Sequence, residues 1–423
     1  VVTATRTERN LASLPLPIAN ITSEAISQSG VTRLNEILFE QTGLLTIPDF
    51  GGVEGIQVQG LDASYALILI DGVPLVGRSA GTLDLSRISV GNIDRIEIVK
   101  GASSSLYGSE ALAGVINIIT KKPKRDLLSG NLSYRYGSFE TNDLNSNVVW
   151  KKNKFSGSIF ANYFNTNGYD LNESTPEKTV EPFYNITIQP KFYYDFSDDL
   201  KLVVGTRYYK QKQDYKATID DEKYKGNSNI NEWNSQIKVT HKWNKKFYSE
   251  YEFYATNYKT DEFLNDSNKQ LFEANFYKQW LFRPEVRTTW SFQKSKLTAG
   301  IGLNKETLNR TYFVSNVVFN SQYAFLQYDY NPTDKWNILA GFRYDNHQEY
   351  QSQWSPKFAI NYKVNQNFSL KSSIGYGFKA PDFRQLYFDF SNSAIGYAVF
   401  GYNVAETKLD DLDAQGQILF RYD

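Results

Sequence analysis

The sequence predicts a mostly β protein, with a small α+β domain at its N-terminus and an antiparallel transmembrane β-barrel after it. Three observations carry that prediction. From about residue 126 onward, long segments alternate apolar and polar residues, the pattern of a sheet with one lipid face and one wet face. Short polar turns and longer polar segments alternate between those strands, as the two ends of an up-and-down membrane barrel require. The 423 residues include 30 Tyr, 28 Phe and 7 Trp, 15% of the chain, yet mean hydropathy is only −0.48. Aromatic girdles around a wall that is half polar reconcile the two numbers.

Residues 1–125 form the first domain. Leu34, Ile37, Leu38 and Gln41 repeat at helical spacing, and Gly43 supplies a stop, so one short amphipathic helix is expected over Val31–Thr42. Four apolar runs of strand length follow, Ile56–Gln59, Tyr65–Ile70, Ile93–Val99 and Gly114–Thr120, and predict a small mixed sheet.

Residues 126–423 carry about fourteen predicted strands. In the clearest, Trp336, Ile338, Ala340, Phe342 and Tyr344 share one face, while Asn337, Leu339, Gly341, Arg343 and Asp345 share the other. Leu370, Ile374, Tyr376 and Phe378 alternate with Lys371, Ser373, Gly375 and Lys379 in the same way. Tight turns are expected at 151–154, 197–200, 244–246, 293–296, 332–335 and 364–367. Long loops are expected at about 165–181, 215–229, 258–276, 310–319 and 380–411. The chain stops at Phe420-Arg421-Tyr422-Asp423, inside what reads as a strand.

Composition removes several function classes. Lys+Arg and Asp+Glu both number 46, so no polyanion-binding charge excess marks a nucleic-acid partner. With no Cys and only His241 and His347, disulfide frameworks, thiol catalysis and multi-histidine metal centres are excluded. No apolar run approaches the roughly 18 residues of a membrane helix. The chain has neither a Met nor a charged-then-apolar leader at its start, which reads as a processed or partial product. No nucleophile, base and orienting group stand in a recognisable motif, so the sequence reads as non-enzymatic.

Three ordered motifs in the first domain then carry a resemblance. They are Leu67-Ile68-Leu69-Ile70-Asp71-Gly72-Val73-Pro74, Ile93-Asp94-Arg95-Ile96-Glu97-Ile98-Val99-Lys100-Gly101, and Ser103 to Thr120 with its Leu106-Tyr107-Gly108 core. Together they closely resemble the plug domain of TonB-dependent outer-membrane transporters. Val1-Val2-Thr3-Ala4-Thr5-Arg6-Thr7 resembles the segment just after the TonB box. Gly377-Phe378-Lys379-Ala380-Pro381 with Gln385-Leu386-Tyr387 resembles a motif at the outer end of a late barrel strand in the same family. Ala102 and Ala113 depart from the Pro and Gly that are usual there. The resemblance implies a 22-stranded barrel filled by the plug, with about eight strands beyond this chain. It also implies energised import of a scarce, large ligand across the bacterial outer membrane. TonB with ExbB and ExbD would be the energising partners, outer-membrane lipids the solvent, and a surface lipoprotein a further partner. No intrinsic cofactor is implied, and the cargo would be a metal complex.

Within that frame, the outward plug segments Pro48–Gly55 and Val76–Gly81 are expected to floor a ligand site. Asp49, Phe50 and Arg78 are the candidates, Arg78 as a partner for an anionic ligand oxygen. His347 falls on the lumen parity where its strand emerges outside, and is either a ligand contact or a solvated loop residue. His241, beside Trp243, reads as a girdle residue. Tyr387, Tyr397 and Tyr402 belong to an aromatic segment suited to planar ligands or to packing at the rim. Arg95, Glu250, Glu252, Glu285 and Arg287 are expected to hold the plug to the barrel. An iron complex, siderophore or heme, is the expected cargo, with cobalamin as the alternative, and an adhesin or signalling receptor on the same scaffold is the alternative of another class.

Overall fold

In the computed structural model, residues 6, 14–48, 53–78, 81–123, 128–172, 174, 177–392, 397–418 and 420 are described. The N-terminal domain is built on a five-stranded sheet. Its strands are β1 (Ile18–Thr22), β4 (Ala66–Ile70), β5 (Val73–Pro74), β6 (Ile93–Lys100) and β7 (Gly114–Thr120), in the order β1-β6-β7-β4-β5. A separate hairpin pairs β2 (Leu44–Pro48) with β3 (Glu54–Val58). β4 and β7 run parallel at the centre and are buried along their whole length. That is why they read as unbroken apolar runs without alternation.

Helices α1 (Ser23–Ser29), α2 (Leu34–Phe39) and α3 (Ser104–Tyr107) complete the domain. The expected helix is present but shorter, because Glu36 folds back to accept from the backbone N–H of Thr32 and Arg33 and so fixes its start. α1 was not expected, although its punctuation is in the sequence. Thr22 Oγ1 accepts from the Ala25 N–H, and Gly30 at φ 70° ends it.

Thirteen antiparallel strands form the second sheet, in strict sequence order. They are β8 (Leu128–Gly137), β9 (Thr141–Lys152), β10 (Phe155–Thr166), β11 (Phe183–Asp195), β12 (Leu200–Ile219), β13 (Glu222–Asn244), β14 (Phe247–Asn265), β15 (Leu271–Ser291), β16 (Ser295–Arg310), β17 (Val317–Tyr330), β18 (Trp336–His347), β19 (Gln353–Lys363) and β20 (Ser369–Gly375). The parity of Trp336–Asp345 is as expected: Asn337, Leu339 and Arg343 are buried toward the lumen, while Trp336 and Phe342 are exposed on the outer face. Trp233 and Trp280 mark an outer girdle, Trp243 and Trp290 an inner one, and His241 lies against Trp243 with ring centroids 4.0 Å apart.

Two of the expected long loops are instead strand. β12 and β13 pair continuously up to a two-residue turn at Asp220-Asp221, both with positive φ, and β14 and β15 pair up to residues 265 and 271. Beyond the bilayer a strand needs no apolar face, only ladder partners and cross-strand packing. Here the Tyr215 ring lies over Gly226, and Tyr224 packs on Phe272 at 4.5 Å. The region expected as a loop over 380–411 holds α4 (Phe383–Tyr387), a hairpin of β21 (Asp389–Asn392) and β22 (Tyr397–Phe400), and α5 (Tyr402–Ala414). Phe420 is not in a strand, and residues 421–423 lie outside the described ones.

Candidate functional site

The N-terminal domain is held to the concave face of the barrel sheet by buried polar pairs. Asp71, in the turn after β4, takes Lys191 Nζ of β11 at 2.8 Å and both the N–H and Oγ1 of Thr120. Burial opposes ionisation of Asp71, but Lys191 and the Thr120 donors outweigh it and hold the carboxyl below its ordinary range. Glu232 of β13 lies between two guanidiniums, Arg207 of β12 at 2.9 Å and Arg87 of the N-terminal domain at 3.3 Å. Arg87 also donates to the Val76 carbonyl at 2.6 Å, and Arg207 to the Arg87 carbonyl at 2.9 Å. Further round the wall, Arg33 approaches Asp143, Lys357 donates to the Ala102 carbonyl, and Tyr254 donates to the Pro74 carbonyl.

A second cluster joins the start of the chain to the wall. Arg6 donates to Glu285 Oε2 at 2.7 Å, and its guanidinium lies over the rings of Tyr107 and Phe325. Glu285 also accepts from Tyr323 OH at 2.6 Å and from Arg287 at 3.1 Å, while Arg287 reaches Glu250 at 2.7 Å and Arg283 reaches Glu252 at 3.0 Å. Glu250, Glu285 and Arg287 therefore belong to one network, which Arg6 ties to the N-terminal segment, while Glu252 pairs separately with Arg283. Arg95 instead makes its ion pairs inside its own domain, with Asp94 at 3.0 Å and Glu97 at 2.9 Å. We expect Arg6→Ala or Glu285→Gln to destabilise the receptor by about 1.5–3 kcal/mol, the effect of losing one charged hydrogen bond, read as a lowered thermal midpoint. A wild-type midpoint in both variants would count against the tether.

Three wall residues that reach the N-terminal domain, Lys191, Glu285 and Lys357, each directly follow a proline. Proline has no ladder donor. The β11–β12 pairing accordingly lapses at Gln189-Pro190, and the β15–β16 pairing at Arg283-Pro284.

A cavity of about 210 Å³ lies between the outward face of the N-terminal domain and the outer half of the barrel. Its floor comes from Val76, Gly77, Arg78, Ser109 and Glu110, and its wall from Tyr277, Glu306, Arg310, Phe319, Asp345 and His347. Arg78 is fixed by the Ala63 and Ala66 carbonyls and faces Glu110 at 3.6 Å, and Lys379 meets the same carboxylate at 3.4 Å. Burial opposes the charge on Glu110, but Lys379 and Arg78 together hold its carboxyl below the ordinary range. Seven cationic side chains line the cavity against four carboxylates. At its outer end the Arg310 guanidinium lies 5.5 Å from the Tyr277 ring and 5.3 Å from Phe388, and Phe319 stacks on Phe383 at 3.9 Å. Gly77 permits the close seating of the floor: φ is +93°, and an added Cβ would lie 2.4 Å from the Tyr258 ring. Gly77→Ala is expected to destabilise by about 1–3 kcal/mol through backbone strain alone, read as a lowered thermal midpoint.

Arg78 and His347 are thus brought into one cavity. His347 stacks on Tyr350 at 3.9 Å and accepts the Glu349 N–H on Nδ1. Tyr387 adjoins the cavity through Phe319 and donates to Glu349 at 2.7 Å. Tyr397 packs on Phe390, and Tyr402, 82% exposed at the start of α5, stands apart from the lining. Asp49 and Phe50 lie outside the described residues. Lys191, Arg207, Glu232 and Lys357 were not singled out from sequence, although each is a charge on lumen parity, which is the signal that marked Glu285.

The family description "TonB-dependent Receptor Plug Domain" matches residues 10–115, and "TonB dependent receptor-like, beta-barrel" matches residues 118–414. The chain is 27% identical over 405 residues to the vitamin B12 transporter BtuB of Vibrio cholerae serotype O1, covering 92% of this chain and 63% of that protein. Identity to the protein of the same name from Photobacterium profundum is 24%, with the same coverage. The chain therefore spans 63% of the length of these relatives. Among solved structures, it superposes on the siderophore receptor PirA of Acinetobacter baumannii with a TM-score of 0.75 at 19% identity, over 89% of this chain and 62% of that one. A ferric enterobactin receptor mutant, PfeA of Pseudomonas aeruginosa, gives 0.74 at 17%, over 88% and 64%. At these identities the structures show a shared fold.

Proposed function

The chain belongs to the TonB-dependent receptor family, an outer-membrane β-barrel family, and from that premise we propose that it imports a scarce anionic metal complex, a ferric siderophore, with energy supplied through TonB. The observation that carries the cargo class is the outer end of the cavity. There Arg310 is ringed by Tyr277, Phe313 and Phe388, with Lys379 and Arg384 in the same lining. Guanidinium groups among aromatic rings suit planar, negatively charged chelating groups by combined charge and stacking. The cation excess also favours an anionic cargo over a neutral one. The buried pairs between plug and wall support a plug that stays seated until pulled, since breaking one partner of such a pair is costly. TonB would grip the chain near Arg6, at the end of the network that runs to Glu250. Pairing with ExbB and ExbD, and with a surface lipoprotein, belongs to the same reading.

A second reading, cobalamin, is favoured by the names of the two relatives above. Growth of a deletion strain, complemented with the full-length receptor, separates the two. Restored growth on a ferric catecholate as the sole iron source is expected. Restoration only in a cobalamin-dependent auxotroph would overturn the iron reading.

A further inference from the structure

An anionic cargo has to enter a cavity whose lining already holds the carboxylates of Glu110, Glu306, Asp345 and Asp382. Three of them are answered. Glu110 has Arg78 and Lys379, Asp345 has a bidentate Arg343 at 2.7 Å, and Asp382 accepts the Gln385 N–H at the start of α4. Glu306 differs. Among the described residues it has neither an ion pair nor a backbone donor, and its side-chain hydrogen-bond partner is the neutral Gln279. That amide is fixed in turn, because its Oε1 accepts the Gly77 N–H of the plug at 3.0 Å and the Tyr277 OH at 2.8 Å.

The preceding residue, Lys305, is exposed on the outer face, so β16 has left the hydrocarbon at that level. Glu306 itself turns to the lumen, half-buried, with Leu281 of β15 and Phe319 of β17 as its ladder neighbours. The titratable and charged groups that act on it or feel its charge are Tyr277 of β15, Tyr350 after β18, Glu110 of the plug and Lys379 after β20. Arg78, Asp345 and His347 line the same cavity. Burial, and then the Glu110 charge, push the Glu306 carboxyl up to about 7, and Lys379 and Gln279 oppose them. Lys379 already serves Glu110.

A bound polyanion strains this arrangement twice. It draws Arg78 and Lys379 toward its own oxygens, and it sets further negative charge beside a carboxylate that has no cation of its own. A proton relieves both effects, since a protonated carboxyl is neutral and gains an O–H donor.

We propose that Glu306 is the proton-binding group of the cargo site, neutral when an anionic complex is bound and donating to one of its oxygens, so that binding takes up one proton. The inference rests on the anionic cargo argued above. Its test is the affinity of the full-length receptor for a ferric tris-catecholate between about pH 6.5 and about pH 8.5, in the wild type and in Glu306→Gln. Wild-type affinity should fall on the order of tenfold across that range, as linkage to one proton requires. The Gln variant is a neutral donor at every pH, so its affinity should stay level and exceed that of the wild type at the alkaline end. Parallel pH profiles, or a variant weaker than the wild type throughout, overturn the proposal.

A second arm needs no cargo. A carboxyl raised in the folded state stabilises the fold at low pH and loses that contribution as pH rises through its folded value. The thermal midpoint of the unliganded wild type should therefore drop by a few degrees relative to Glu306→Gln between about pH 5.5 and about pH 8.5. A constant gap overturns the proposal. If neither protein binds the catecholate at any pH, the cargo reading alone fails, and the unliganded arm still decides whether Glu306 binds the proton.

Discussion

Glu232→Ala is expected to unseat the N-terminal domain, at a cost of about 3–5 kcal/mol, because it leaves the Arg87 and Arg207 guanidiniums together in a dry site with no counter-charge. Both side chains are at most 5% exposed, and Asn234 is the remaining hydrogen-bond partner of the lost carboxylate. Glu232→Gln should cost nearly as much, since it keeps the shape and loses the charge. Thermal unfolding and limited proteolysis of the purified receptor measure the effect: the N-terminal domain should become cleavable under conditions where the wild type is protected. A variant with wild-type protection and midpoint would show that the triad does not hold the domain.

Arg310→Glu is expected to weaken binding of a ferric catecholate on the order of 100-fold, within the range measured for losing one member of a desolvated charged contact. The substitution reverses charge beside Tyr277, Phe313 and Phe388 without touching the Glu232 or Glu285 clusters. Arg310→Lys should keep the charge and lose the stacking, and so fall between the two. Cobalamin binding measured in parallel discriminates the cargo, because a neutral corrin should respond far less than the anionic complex. Equal losses for both ligands would indicate a collapsed rim.

What was legible in the sequence follows from period-2 patterning. The lumen parity of Glu250, Glu252, Glu285 and Arg287 needed only alternation against lipid-facing neighbours. β7 was bounded by its glycine and its apolar run. Partner choice was not legible, because Asp71 and Lys191 lie 120 residues apart and nothing local couples them. The extended hairpins were hidden for another reason: outside the bilayer both faces of a strand turn polar, so Tyr215–Asn229 looked like loop although its backbone stays paired. Arg6 was missed as an anchor because its role depends on a wall residue 279 positions away.

The two girdles also act as a ruler. Trp233 and Trp243, like Trp280 and Trp290, are ten residues apart on the same face, about 33 Å along the strand and about 25 Å of height at a tilt near 40°. A bilayer core of about 30 Å would leave a mismatch of several Å at β13 and β15, each Å costing a fraction of a kcal/mol. Thickness alone therefore biases this wall toward the thinner outer membrane, and substitutions that shift either tryptophan row by one dyad should change where the protein resides before they change how it folds.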